Sequence, residues 1–237
     1  MPDESPDQKQ VRWLPLESNP DVMNSFLHNL GLPSKWAVTD VYGLDPEMLA
    51  MVPQPVSAVL LLYPLTEKAV TASADEDAKI QAEGQVQSPK VYFMRQTIGN
   101  ACGTVALMHA LANNKEMLQL ESGPLAEFFS RTAQQTPEER AAALQLFQQL
   151  EAAHEAAGHQ GQTEAPSRHD RLDTHFIAFV HVDGHLYELD GRRPAPVNHG
   201  PTSQGSLLPD AAKVVKSFME RDPTEVNFSV LALASAQ

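Results

Sequence analysis

From Val56 to Tyr63 every position but Ser57 is apolar, a run of strand length with no polar face. Such a run predicts a central strand buried on both sides. Elsewhere the pattern alternates or turns with helical period. Asn19-Pro20-Asp21 opens a helix: Asn19 caps, Pro20 suits the first helical position, and Asp21 meets the dipole. Val22, Phe26, Leu27 and Leu30 give that helix its apolar stripe, and Gly31 ends it. Arg12 to Leu16 reads as a short edge strand, Trp36 to Tyr42 as a further strand, and Pro46 to Met51 as a helical turn. Glu67 to Lys90 is polar and predicts at most one short exposed helix. Helices are expected at Val105–Ala112, closing near Asn113-Asn114, at Pro124–Thr132, and from the cap Thr136-Pro137-Glu138-Glu139 to Leu150. Glu151 to Asp173 has no sustained period and reads as one long loop, of the kind that is usually functional. Leu207 to Glu220 is an amphipathic helix and Asn227 to Leu233 a last strand.

The firmest local signal is Thr174 to Asp190, two strand-like runs joined by Asp183-Gly184. Asp-Gly in that setting predicts a two-residue hairpin turn. Val182 then faces His185, and pairing continues outward to Ile177 opposite Asp190 and His175 opposite Arg192. Side chains alternate between faces. Phe176, Ala178, Val180, Val182, His185, Tyr187 and Leu189 share one face; His175, Ile177, Phe179, His181, Leu186, Glu188 and Asp190 share the other. His175 and Asp190 become diagonal neighbours on one face, within about 7–8 Å and so within reach of a hydrogen bond.

Composition narrows the function classes. The chain has 237 residues, enough for one large domain or two small ones, and its 42% hydrophobic content suits a soluble globular protein. No apolar run reaches the roughly 18 residues of a membrane span, so no membrane partner is expected. The acidic start Met-Pro-Asp-Glu-Ser-Pro-Asp shows no secretory signal, and a single cysteine permits no internal disulfide; both fit the cytoplasm. Thirty acidic against 17 basic residues give a net charge of −13, which repels nucleic acid and favours a basic partner.

That one cysteine, Cys102, stands in Gln96-Thr97-Ile98-Gly99-Asn100-Ala101-Cys102-Gly103-Thr104 just before an apolar helix. Asn100 reads as its N-cap, which puts Cys102 in the first turn, where orphan N–H groups favour a thiolate. Gln96, six residues upstream, can aim an amide donor at an oxyanion formed when sulfur attacks a carbonyl. A carboxylate behind an imidazole orients it and stabilises its protonated form, the part assigned to Asp190 and His175. A lone cysteine is more often a small buried residue, and each piece alone is weak; together they form a cysteine hydrolase constellation. His181 and His185 mimic a metal pair, but the hairpin turns them to opposite faces, and His28, His109, His154, His159, His169 and His199 have no ligand spacing. Neither metal nor cofactor is expected. His109 reads as a packing residue, and His181 and Glu188 as surface or supporting groups.

The residues also resemble a known family. Arg12-Trp13-Leu14-Pro15-Leu16-Glu17, Val41-Tyr42-Gly43-Leu44-Asp45-Pro46-Glu47, the segment Tyr92 to Thr104, Gly161-Gln162-Thr163-Glu164-Ala165-Pro166 and Asp183 to Arg192 resemble the ubiquitin carboxyl-terminal hydrolases, in their short single-domain form. The resemblance implies an α+β, papain-like fold: an α-β-α sandwich around a mainly antiparallel six-stranded sheet with a knotted backbone. It implies a flexible acidic tail over 1–11, one domain over 12–237, and a crossover loop at about 151–173. It assigns the nucleophile to Cys102, the general base and acid to His175, the orienting carboxylate to Asp190 and the oxyanion donor to Gln96. The implied partners of the monomeric enzyme are ubiquitin and Nedd8, cleaved at their C-terminal glycine from small or flexible groups. Sequestration of free ubiquitin, with hydrolysis secondary, is the alternative reading, and thiol redox work a more distant one. Three features depart from the family pattern: a longer tail before Arg12, the basic patch Ser167-Arg168-His169-Asp170, and the lack of further cysteines.

Overall fold

The computed structural model describes residues 11–161 and 172–236. The tail before Val11 and the patch Ser167-Arg168-His169-Asp170 lie outside those residues. Helix α1 is Pro20–Asn29, with the Asn19 side chain accepting from the Asp21 N–H at 3.0 Å. Strand β1 (Trp36–Asp40) and the short α2 (Pro46–Leu49) precede β2, Val56–Pro64, whose side chains are buried on both faces except at Leu62.

Helix α3 runs over Glu67–Glu83, longer than the sequence pattern suggests. Among its side chains only Ala69 is buried, so no apolar stripe announces it. It forms because Thr66 caps the Ala69 N–H and the run is rich in strong helix formers. Polar bonds hold it on the body: Lys68 pairs with Asp222, Arg221 reaches Ser73, and Arg193 reaches Glu76 and Asp77.

Helix α4 is Cys102–Ala112 and every one of its residues is buried. Apart from Thr104 and His109, whose side chains are hydrogen-bonded, it carries no polar face and lies inside the molecule, as such a helix must. The extended segment before it satisfies its backbone on α4 and its neighbours. Asn113 both accepts from the Tyr92 N–H and donates to the Tyr92 carbonyl, His109 accepts from the Met94 N–H, and Arg140 donates to the Phe93 carbonyl. Helices α5 (Lys115–Leu118), α6 (Pro124–Thr132) and α7 (Pro137–Gln145) follow, the last with a full Thr136/Glu139 capping box.

The chain breaks after Gln145 rather than continuing to Leu150, and α8 occupies Gln148–Gly158. At the break Phe147 stacks on Phe128 with ring centroids 5.1 Å apart, which turns the backbone out of the helix. The front of the expected loop is therefore helical. Strands β3 (Thr174–Val182) and β4 (His185–Leu189) form the hairpin; Asp183 and Gly184 both take positive φ, as the turn requires. Its register matches the expected one from Val182↔His185 to Ala178↔Leu189, where the ladder ends, so Asp190 lies one step beyond β4. Strand β5 (Val197–Pro201), which no periodicity marks, helix α9 (Leu207–Arg221) and β6 (Ser229–Ser235) complete the chain.

The strands make one antiparallel sheet in the order β1-β6-β2-β3-β4-β5. On one face α4 and α1 pack over Leu60, Phe176, Ala178 and Tyr187; on the other α9 packs over Val59, Leu61, Ile177 and Phe179. The architecture is the α-β-α sandwich expected. Residues 12–16 form no strand: a single parallel bridge joins Arg12 to Gly99, with Trp13 N–H donating to Gly99 and Gly99 N–H to Val11. Pro15 removes the next donor that a strand would need.

Candidate active site

Cys102 is the first residue of α4 and is 6% exposed. Its cap is Ala101 rather than Asn100, and no side chain closes the helix start. Asn100 instead takes a left-handed backbone (φ 63°), a conformation asparagine tolerates, and turns the chain into the helix. The consequence for the sulfur is as expected: it sits where the first N–H groups and the dipole favour an anion. A second support lies two residues on. The Thr104 hydroxyl hydrogen-bonds His154 Nδ1 at 2.7 Å, and His154 Nε2 contacts the Leu14 carbonyl. This buried link ties the first turn of α4 to α8 and to the N-terminal segment.

His175, the second residue of β3, is buried opposite Tyr63, and its ring meets Tyr63 edge-on at 5.9 Å. His175 Nε2 lies 2.6 Å from Asp190 Oδ1. The same oxygen accepts the Arg192 N–H at 2.8 Å, fixing the carboxylate. His175 Nδ1 has no hydrogen-bond partner. Cys102 and the imidazole influence each other's titration without a bond of full hydrogen-bond geometry, a looseness common in substrate-free sites. Burial alone would push the Cys102 thiol up; the His175 ring, the Phe176 backbone and the Arg192 charge outweigh it, leaving the thiol below its ordinary value. Burial would likewise lower His175, but Asp190, and then Cys102, raise it to about 9. Asp190 is burdened by burial and brought below the usual carboxylate range by His175 and Arg192.

Gln96 lines the same cleft as Cys102. Its Nε2 donates to the Ile98 carbonyl over a long 3.2 Å, and its Oε1 has no partner. Its backbone N–H donates to the Gly191 carbonyl at 2.9 Å, so the loop after β4 holds both Asp190 and the backbone of Gln96.

Of the four residues chosen from sequence, Cys102 and Gln96 line the cleft, while His175 and Asp190 are buried and paired with each other; Arg193 was not among the four. It is 4% exposed and donates to Glu188 at 3.0 Å, Glu76 at 2.7 Å and Asp77 at 2.8 and 2.9 Å. Its N–H closes the turn onto the Asp190 carbonyl, and its own carbonyl accepts from Arg95. Glu188 is correspondingly no surface group: it is 1% exposed, between Arg193 and His199. The adjacent arginines after Asp190-Gly191 were the available signal. His109 is a packing residue as read, stacked on Phe93 and lowered by burial to about 4. His181 accepts the Gly184 N–H at the turn. Among the described residues no group of three His, Cys, Asp or Glu side chains is disposed to hold a metal ion.

Two hollows meet at Cys102. One, about 420 Å³, is lined by Gln96, Thr97, Gly99, Arg12, Asp173 and Arg192 among others. The other, about 180 Å³, is lined by Leu16, Glu17, Leu62, Gly158 and Phe176. Glu17 also borders a polar groove with Asp21, Asp40 and Tyr42. Burial and the neighbouring Asp21 raise the Asp40 carboxyl, a mark of crowded negative charge there.

The sequence pattern of ubiquitin carboxyl-terminal hydrolase family 1 matches residues 13–220. The chain belongs to that family. A Drosophila melanogaster ubiquitin carboxyl-terminal hydrolase is 47% identical over 96% of this chain and 99% of its own length. Ubiquitin carboxyl-terminal hydrolase 3 of Arabidopsis thaliana is 49% identical over 94% of each chain, and isozyme L1 of Sus scrofa 49% identical over 94% of this chain and 98% of its own. The crystal structure of the Trichinella spiralis UCH37 catalytic domain bound to ubiquitin vinyl methyl ester superposes with a TM-score of 0.73, at 25% identity, covering 95% of this chain and 96% of that one. As a member of ubiquitin carboxyl-terminal hydrolase family 1, the protein is a cysteine-type hydrolase of the ubiquitin system.

Proposed function

We propose that this protein hydrolyses bonds at the C-terminal glycine of ubiquitin, and also of Nedd8, through a thioester on Cys102. The observation that carries the reading is the unpartnered His175 Nδ1 beside the sulfur, with Nε2 committed to Asp190 at 2.6 Å. The thiolate attacks the glycine carbonyl, and the oxyanion takes donors from Gln96 Nε2 and the Cys102 N–H. His175 gives its Nδ1 proton to the leaving amine as the C–N bond breaks. It then removes a proton from water, which attacks the thioester, releasing the carboxylic acid and restoring the thiol. Asp190 keeps the ring oriented and favours its protonated form throughout. The groove of Glu17, Asp21 and Asp40 suits the basic extended tail of ubiquitin. Such a hydrolase acts as a cytoplasmic monomer; no helix among the described residues is long and apolar enough to cross a membrane.

The test is covalent capture. Ubiquitin carrying a C-terminal electrophile labels the wild-type protein at Cys102, and the Nedd8 equivalent labels it more slowly. Labelling abolished by Cys102→Ala and slowed at least about 100-fold by His175→Ala is the expected result. Labelling that persists in Cys102→Ala overturns the reading.

A further inference from the structure

The two sides of Cys102 differ in charge. Towards α1 the surface is acidic, with Glu17, Asp21 and Asp40 along one continuous path from the sulfur. On the Gln96 side two guanidinium groups, Arg12 and Arg192, line the cleft, against the single exposed carboxylate of Asp173. Neither guanidinium forms an ion pair among the described residues. In a chain of net charge −13, two arginines beside the candidate nucleophile, with no salt bridge among the described residues, are a local reversal of sign.

Arg12 is also held in place. Its backbone is bridged to Gly99, and its aliphatic stem lies flat on that glycine; a Cβ at Gly99 would come within 2.7 Å of Arg12 Cγ. Arg192 is fixed at its backbone by the N–H it gives to Asp190. Both charges are therefore presented from anchored main chain on the wall of a cleft of about 420 Å³, room for one or two residues.

The proposed reaction gives each side a different portion of substrate. The basic tail of ubiquitin belongs on the acidic side, which leaves the arginine side to the departing amine. We infer that this cleft is a leaving-group subsite that selects amines bearing a carboxylate within one or two residues of the scissile nitrogen, such as a short acidic C-terminal extension. The inference rests on the hydrolase reading and adds the chemical class of the group released. Arginine suits the task because its fork pairs with a carboxylate through two hydrogen bonds.

The test compares two ubiquitin fusions cleaved by the unmodified full chain. One carries the extension Ala-Glu with a free C-terminus; the other carries Ala-Gln with a C-terminal amide, the same shape without charge. Expected is a preference of about 5- to 20-fold in kcat/KM for the acid, shrinking as salt rises from 20 to 500 mM. In the double variant Arg12→Gln/Arg192→Gln the ratio falls to within about twofold, and in Arg12→Glu/Arg192→Glu it inverts in favour of an Ala-Lys amide extension. Equal cleavage of acid and amide by the wild type overturns the subsite while leaving the hydrolase reading intact. Cleavage of neither overturns both.

Discussion

The backbone N–H of Gln96 donates to the carbonyl of Gly191 at 2.9 Å, joining the segment that leads into the cysteine helix to the residue that follows Asp190. The contact is close because position 191 has no side chain. A Cβ there would come within 2.9 Å of both Gln96 Cβ and Val105 Cγ1. Gly191→Ala must therefore push Gln96 away from the loop or the loop away from α4. A shift of about 1 Å in catalytic geometry can cost on the order of 100-fold in rate. We expect Gly191→Ala to lower kcat on a ubiquitin fluorogenic amide by about 10- to 100-fold with KM changed less than about threefold. Unchanged kcat would show that the Gln96–Gly191 link does not set the reactive geometry.

The pH profile follows from the coupled Cys102–His175 pair. Activity needs the thiolate together with the imidazolium. Cys102 titrates below its ordinary value, so the acidic limb lies lower than for a free thiol. His175, raised to about 9, loses its proton as pH passes that point, which sets the alkaline limb. Against burial, which lowers His175, Asp190 is the principal influence raising it. In Asp190→Asn the alkaline limb of kcat/KM should therefore move down by at least one pH unit, besides any loss in amplitude. An alkaline limb that stays in place would assign it to a group other than His175.

Arg193 carries a stability prediction. It is buried with Glu188, and it anchors α3 through Glu76 and Asp77. Removing it leaves the buried Glu188 carboxylate with only His199. Breaking a buried pair from one side typically costs about 3–5 kcal/mol. Arg193→Met should lose that much in urea unfolding, and amide exchange should speed up along α3. Arg193→Lys should fall between, since an ammonium cannot serve three carboxylates through a fork. A loss below about 1 kcal/mol for Arg193→Met would mean that water or rearrangement replaces the guanidinium.

The same contacts explain what the sequence did and did not disclose. The hairpin was legible because Asp183-Gly184 fixes the register, which puts His175 and Asp190 on one face; the ladder stops at Leu189, and the turn beyond it, with the Arg192 N–H on Asp190, completes the approach. Cys102 was legible as a cysteine before an apolar helix, although Asn100 turns the chain rather than capping it. Helix α3 was underestimated because long-range charge pairs, and no apolar stripe, dock it. The break between α7 and α8 depends on Phe147 meeting Phe128, a contact between residues that no local pattern pairs. Nothing local to Arg193 marks it for burial; its partners Glu76 and Asp77 are more than a hundred residues away in sequence.

His109 separates a second pH effect from that of the active site. Burial holds this imidazole neutral, at about 4, with Nε2 accepting the Met94 N–H at 3.0 Å. The unfolded chain protonates it near 6.5. A histidine depressed in the folded state stabilises the fold fully above its unfolded value and progressively less as pH falls towards 4. The window is therefore about pH 6.5 to 4, and the loss across it is on the order of 3 kcal/mol. His175 acts in the opposite sense and in another window: its raised value contributes fully below 6.5 and is lost only as pH climbs through about 9. Replacing His109 with Gln removes the titration, whatever packing it sacrifices against Phe93. Stability measured by urea unfolding from pH 7 to 4 should thus fall less steeply for His109→Gln than for the wild type. Equal slopes would show that His109 takes up its proton in the folded protein as readily as in the unfolded chain, and that burial in α4 does not exclude its charge.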